Sequence, residues 1–326
     1  MPINSVMYHY VRNNEVHDFD TYCRRKDEFE AQIDFFMKDS LVINPYDSER
    51  IDYYLKSDSK DAYLLTFDDG YIDHLYCAES LASRNLSAYF FPPINSIDGE
   101  LLDVNAIHIL IGTRGLSIDK VLEEVSDICL EEELLLSNNK KKVNIKTYLD
   151  DFIADTRYDR IDIIKLKNIL QRDLIGDINR KHVIDLLIKK FVGKTSLEIS
   201  NDLYLGLENM IKMKNMGMAF GSHGKTHRWL NSLNGNEQKI EIEQSFCTLK
   251  ELKLIEGNEP QAMCYPFGAF NDETLNIMSK LKIDIGLTTE VGSSKLNADK
   301  RSIFKLSRWD TNDFWNNEWR KPCTPQ

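Results

Sequence analysis

The 326 residues contain no CxxC pair, no uncharged run of 18 residues, and only 15 glycines and 8 prolines. Each shortage excludes a class of protein. Six cysteines scattered from Cys23 to Cys323 form neither a zinc ribbon nor a disulfide framework, which is the expectation for a reduced compartment. Without a long apolar run there is no segment to cross a bilayer as a helix. The opening MPINSVMYHYVRNN has neither the basic n-region nor the apolar h-region of an export signal, so a cytoplasmic protein is expected. Low glycine and proline exclude collagenous and low-complexity chains. Positive charge is also short: 41 Lys and Arg against 52 Asp and Glu leave a net charge of -11, which repels phosphate backbones, so no nucleic-acid partner is expected.

Short apolar runs alternate with amphipathic stretches, the pattern of an α/β fold with a largely parallel sheet. The runs are Ser5–Val11, Leu41–Asn44, Ala62–Asp68, Ser87–Phe91, Met218–Ser222, Ala262–Pro266, Ile285–Thr289 and Phe304–Trp309. Between them, apolar residues recur at helical spacing over Asp27–Lys38 and Glu237–Leu254, and Asn271 stands as an N-cap before Leu275, Ile277 and Met278. From about Asp103 to Gly217 the rhythm breaks into a stretch rich in Leu, Ile, Lys, Asp and Glu. The expectation is one domain over residues 1–326 with a helical insertion at 103–217, and a solvated turn at Asn138–Lys142.

Chemistry-bearing residues cluster where apolar runs stop. Thr66-Phe67-Asp68-Asp69-Gly70 sets two acids at a strand's carboxyl end, where α/β folds place catalytic groups. Adjacent carboxylates repel unless a cation or proton compensates; Asp-Asp-Gly is also ordinary turn chemistry. Ser222-His223-Gly224-Lys225-Thr226-His227 brings two of seven histidines to a second strand end, and imidazoles with a carboxylate suit a borderline divalent metal. Tyr265-Pro266-Phe267-Gly268 follows a third strand, with the proline and glycine of a backbone that approaches a ligand closely.

In these three segments, in this order and spacing, the chain resembles the polysaccharide deacetylases, the NodB-homology proteins of carbohydrate esterase family 4. The resemblance covers residues 1 to about 95 and 218 to about 310, and implies a distorted (β/α)7 barrel with the helical insertion outside the common core. Position by position, it implies Asp69, His223 and His227 as metal ligands, Asp68 as general base for the attacking water, and the main-chain N–H of Phe267 as an oxyanion donor. Phe267 stands where members usually carry tyrosine. Two departures stand out. The arginine that opens the third motif and orients the base is missing, with Met263 and Cys264 in its neighbourhood, and no histidine follows His227 to serve as the usual acid. His9, in Met7-Tyr8-His9-Tyr10, is then the expected acid, as in the branch whose acid histidine lies in an N-terminal Y-H segment.

The implied activity is metal-dependent hydrolysis of an N-acyl, foremost N-acetyl, group on an amino sugar. One divalent ion is expected, zinc first, with cobalt, manganese, nickel or iron also suited. The substrate would be free, nucleotide-linked or lipid-linked, a cytoplasmic precursor of a surface glycan. Tyr265, Arg308, Trp309 and His108 are expected substrate contacts, Trp309 by stacking on a sugar and Arg308 by binding an anion. Packing explains each of them too. Two other readings stay open: a catalytically inactive carbohydrate-binding homologue, which the missing arginine favours, and an amidase for a non-sugar amide.

Overall fold

The computed structural model describes residues 3–13, 23–56, 62–138, 141–152, 160–296 and 299–313. Its strands are β1 (Ile3–Tyr8), β2 (Leu41–Val42), β3 (Ala62–Asp68), β4 (Tyr89–Phe91), β5 (Leu136–Asn138), β6 (Lys141–Val143), β7 (Ala219–Phe220), β8 (Ala262–Cys264), β9 (Ile285–Leu287) and β10 (Arg308–Asp310). The chain divides into two compact units, one of Met1–Asn13, Tyr22–Gly99 and Leu203–Gln326, the other of Asn14–Thr21 and Glu100–Asp202.

The first unit is a parallel barrel. One sheet runs β10-β1-β3-β4-β7, all parallel, with β2 added beside the start of β3. A parallel bridge Ser222↔Met263 carries the ladder to β8, β8 pairs β9, and the bridge Leu287↔Leu306 leads into β10, which closes the ring on β1. Closure explains why the strands read as apolar runs rather than alternations: in a barrel wrapped by helices both faces are buried. β3 is the clearest case, with all seven residues buried. Its inward side chains join Ile3, Tyr89, Phe91, Ala262, Cys264, Leu287 and Leu306 inside the ring. Its outward ones, Leu65 and Phe67, pack with Val6, Tyr8 and Phe220 against Phe29, Ile33 and Phe36 of helix Lys26–Asp39 and Ile242, Phe246 and Leu249 of helix Gly235–Glu251. The expected cap is present: Asn271 accepts from Thr274 N and opens helix Asp272–Lys280.

The second unit is mainly helical, with helices Asp103–Gly112, Ile118–Glu131 and Asp177–Phe191. It also holds the antiparallel pair β5–β6, where a turn between helices was expected; Asn139 and Lys140 lie outside the described residues. Buried Arg180 braces this unit, donating to the Leu174 carbonyl at 2.9 Å and lying 3.6 Å from Asp103. The unit ends at Asp202, short of the expected Gly217, because helix Leu207–Asn215 buries Met210 and Met213 in the outer layer of the barrel. No helix among the described residues is long and apolar enough to cross a membrane.

Candidate metal centre and active site

At the end of β3 the chain turns sharply, with Asp69 at φ 73° and Gly70 at φ 72°. A Cβ on Gly70 would lie 2.9 Å from Pro92 Cβ, so only glycine fits. The turn splits the two acids between different partners. Asp68 is buried and faces Arg308: Nη1 donates to Oδ1 at 2.9 Å, and Nη2 lies 2.8 Å from Oδ2. The Cys264 thiol donates to Oδ2 at 3.3 Å, and His9 Nε2 stands 3.9 Å from the same oxygen. Burial alone would raise the Asp68 carboxyl; Arg308 first, then His223 and His9, outweigh it and bring it down to about 2. The Asp68 carboxyl is therefore ionised throughout the neutral range. Arg308 is itself held by Nε donating to the Thr288 carbonyl at 2.7 Å.

Asp69 turns to the histidines. Its Oδ1 lies 3.3 Å from His223 Nε2 and 3.2 Å from His227 Nε2, while Oδ2 accepts from Tyr71 Oη at 2.6 Å. His223 Nδ1 lies 2.8 Å from the Cys264 carbonyl, an acceptor, so Nδ1 carries the proton and Nε2 presents a lone pair. Asp69 Oδ1, buried, has no hydrogen-bond partner among the described residues. Ligand atoms that converge on one buried point need compensation, either protons on the imidazoles, which Asp69 favours on His223, or a metal cation in their place. The spacing agrees: ligand atoms about 2.0–2.1 Å from a tetrahedral zinc are about 3.3 Å apart. Asp69, His223 and His227 fit a divalent ion. Asp68, His223 and Cys264 form a second group within reach of one another, but there Asp68 already answers Arg308.

Backbone strain and a buried acid shape the histidine loop. His227 (φ 58°) and Phe267 (φ 58°) join Asp69 as non-glycine residues in the left-handed region, a cost of about 1–3 kcal/mol each that persists where surroundings impose it. The histidine loop is held just before His227 by Glu241 on helix Gly235–Glu251. Its Oε2 accepts from Lys225 N at 3.0 Å and Thr226 N at 2.9 Å, and its Oε1 from Thr226 Oγ1 at 2.7 Å. Sequence reasoning missed this residue. Glu241→Ala is expected to weaken the ion by about 10- to 100-fold in chelator competition, because His227 loses its frame; an unchanged affinity would show that the loop holds itself.

Two further expected residues come to the same mouth. His9, the residue after β1, points its ring at Asp68 and is 40% exposed, so it can meet a ligand. Phe267 N–H has no acceptor among the described residues, while Gly268 N and Ala269 N turn back on Tyr265 and Pro266 carbonyls. The Phe267 ring stacks on Trp229, centroids 4.6 Å apart, and meets His227 edge-on at 4.7 Å.

With this geometry in place, residues 179–286 match the family model described as polysaccharide deacetylase. Over those residues, about a third of the chain, it is similar to that family. A curated relative is YxkH of Bacillus subtilis strain 168, a candidate polysaccharide deacetylase, 28% identical over 128 residues. That alignment takes in 37% of this chain and 44% of the relative, less than half the length of either. Among solved structures, the Streptococcus pyogenes deacetylase PplD, in complex with acetate, superposes with a TM-score of 0.56 at 16% identity over 95% of this chain and 92% of its own. IcaB from Ammonifex degensii gives 0.54 at 13% identity over 98% and 94%. Both share this fold, an α/β barrel.

Some of the expected substrate contacts are turned elsewhere. Tyr265 is fully buried, its hydroxyl donating to the Phe304 carbonyl at 2.8 Å inside the packed layer, so it cannot touch a substrate. Arg308 is 1% exposed and committed to Asp68, not offered to an anion. Trp309, next along β10, points to the opposite face of the strand, where Nε1 donates to Asn4 Oδ1 at 3.1 Å. His108 lies half-buried on helix Asp103–Gly112 of the second unit. His17, Trp315 and Trp319 lie outside the described residues.

Proposed function

We propose that this chain is a metal-dependent amidase that removes an acyl group, foremost acetyl, from an N-acylated amino sugar. The observation that carries the reading is the separation of the two acids at one barrel mouth. Asp69 with two imidazoles forms a set that suits a divalent cation, while Asp68, one residue away, is held ionised by Arg308 and left free to take a proton. A divalent ion on Asp69, His223 and His227 would supply Lewis-acid polarisation and lower the pKa of water. The chain's own groups supply the rest. Asp68 accepts the proton of the attacking water. Phe267 N–H donates to the oxygen of the tetrahedral adduct. His9, within reach of Asp68 and open to the mouth, gives its proton to the departing amine nitrogen, which is a poor leaving group as an anion.

Arg308 weighs against an inactive homologue. The guanidinium that is missing near Cys264 is present on another strand, and a binding protein has no need of a buried arginine to hold a base. The substrate proposed is an amino sugar in free, nucleotide-linked or lipid-linked form, with zinc the first ion to test. A panel of N-acetylated glucosamine oligomers, a nucleotide-linked N-acetylhexosamine and simple acetamides, incubated with zinc-, cobalt- or manganese-loaded protein, tests the reading by release of acetate. Turnover of the amino sugars over the acetamides is expected. Hydrolysis of acetamides alone would move the protein to the non-sugar amidases, and no turnover with metal fully bound would make it a binding protein.

A further inference from the structure

His9 lies just past the last residue of β1, and its 40% exposed imidazole is not enclosed by side chains. Its aim at Asp68 therefore depends on its main chain. That main chain is fixed from the turn that follows Asp68 and Asp69. His74, fully buried, points Nε2 at the His9 carbonyl at 2.9 Å, and because a carbonyl only accepts, Nε2 carries the hydrogen. The next residues are pinned to the same turn. Tyr10 stacks on Tyr71 with centroids 4.0 Å apart, Arg12 lies over the Tyr10 ring at 4.7 Å, and Arg12 Nε donates to Asp73 at 2.5 Å. Tyr71 in turn donates to Asp69, so one short turn holds a proposed metal ligand and the carrier of the proposed acid.

We propose that His74 is a positioning residue for His9, setting the height of its imidazole over Asp68 by holding the His9 carbonyl. The inference rests on the reading of His9 as proton donor. Packing alone does not account for a histidine here. The ring sits among Phe67, Tyr71 and Phe90, at centroid distances of 5.4, 5.5 and 5.7 Å, a cage that phenylalanine would fill. Its Nδ1 has no hydrogen-bond partner among the described residues, and a buried polar atom left so costs about 1–3 kcal/mol. Burial pushes the imidazole down to about 4, so the ring is neutral and contributes no charge at physiological pH. What it adds over phenylalanine is the one N–H that reaches the His9 carbonyl.

The test compares His74→Phe, which fills the cage without the donor, with His74→Gln, whose amide nitrogen can reach the same carbonyl, each alone and combined with His9→Ala. Expected for His74→Phe is full metal content, little change in KM and a fall in kcat of about 10- to 100-fold from misplacement of the acid, with most of kcat restored in His74→Gln. In the His9→Ala background His74→Phe should add nothing, since a residue acting through another has no further effect once that one is gone. Wild-type kcat in His74→Phe, or an equal further loss without His9, overturns the inference while leaving His9 as acid. Full activity in His9→Ala removes both. Should His74→Phe fail to fold, imidazole ¹⁵N spectra of the zinc-loaded wild type still decide: the inference requires the neutral Nε2–H tautomer of His74, and the Nδ1–H tautomer contradicts it.

Discussion

Asp68→Asn is expected to retain one divalent ion per chain and to lose turnover by about 10²–10⁴-fold, the usual contribution of a general base. The two acids of one Asp-Asp-Gly turn differ in what they touch. Asp69 shares its Oδ1 with two imidazole nitrogens, whereas the nearest donors to Asp68 are Arg308, Cys264 and His9, none of them a ligand in the Asp69 set. An amide in place of Asp68 keeps the shape but cannot take a proton from water. It also leaves the Arg308 guanidinium without its counter-charge, so the variant should be less stable and must be assayed well below its melting temperature. Turnover near wild type would show that another group is the base.

Arg308→Met is expected to have the largest effect on stability, about 3–5 kcal/mol, because it leaves a fully buried carboxylate uncompensated. In the wild type, Asp68 falls from an ordinary 3.8 to about 2. The pair's contribution to folding is therefore present above the ordinary value and lost as pH falls through about 2. Without the guanidinium, burial is opposed only by His223 and His9, and the carboxyl moves upward. The base is then protonated at higher pH, so the acidic limb of the pH–rate profile should shift to higher pH, with kcat falling at neutrality. Arg308→Lys keeps the charge as a single point donor in place of the two-pronged contact, and should recover only part of both losses. Denaturant unfolding and pH–rate profiles of the three proteins check this; an unmoved acidic limb in Arg308→Met would mean that the arginine does not control the base.

Arg308 also marks the limit of what a linear reading can find. β3 was legible to the residue, because a run buried on both faces ends abruptly in acids, and Asn271 was legible as a cap because its side chain acts on the next turn. Asp68, Asp69, His223 and His227 each lie just past an apolar run, and ring closure brings those ends to one mouth. The partner of Asp68 is set instead by the parallel register of β10 on β1, Ser5 opposite Arg308, across 240 residues of sequence. One signal was present: an arginine within a strand of a closed barrel must be paired if it points inward. Parity along the strands also separates residues that sequence proximity grouped together. Cys264 faces inward to Asp68 while Tyr265 packs outside, and Arg308 faces inward while Trp309 does not. Glu241 escaped notice because it sits among Ile240 and Ile242 in what reads as an apolar face; Ile240 is 40% exposed, and the helix turns the acid inward to answer the amides of the histidine loop.

The separation of roles between neighbouring acids is the centre of this account, and metal content measured by elemental analysis tests it most directly. Wild type, Asp68→Asn, Asp69→Asn, His223→Ala and His227→Ala would each be stripped with chelator, reloaded with zinc and desalted. One ion per chain is predicted in the wild type and in Asp68→Asn, with severe loss in the other three and a folded barrel throughout, since its core is independent of the ion. Less than one ion in the wild type, or equal loss in Asp68→Asn and Asp69→Asn, would contradict it.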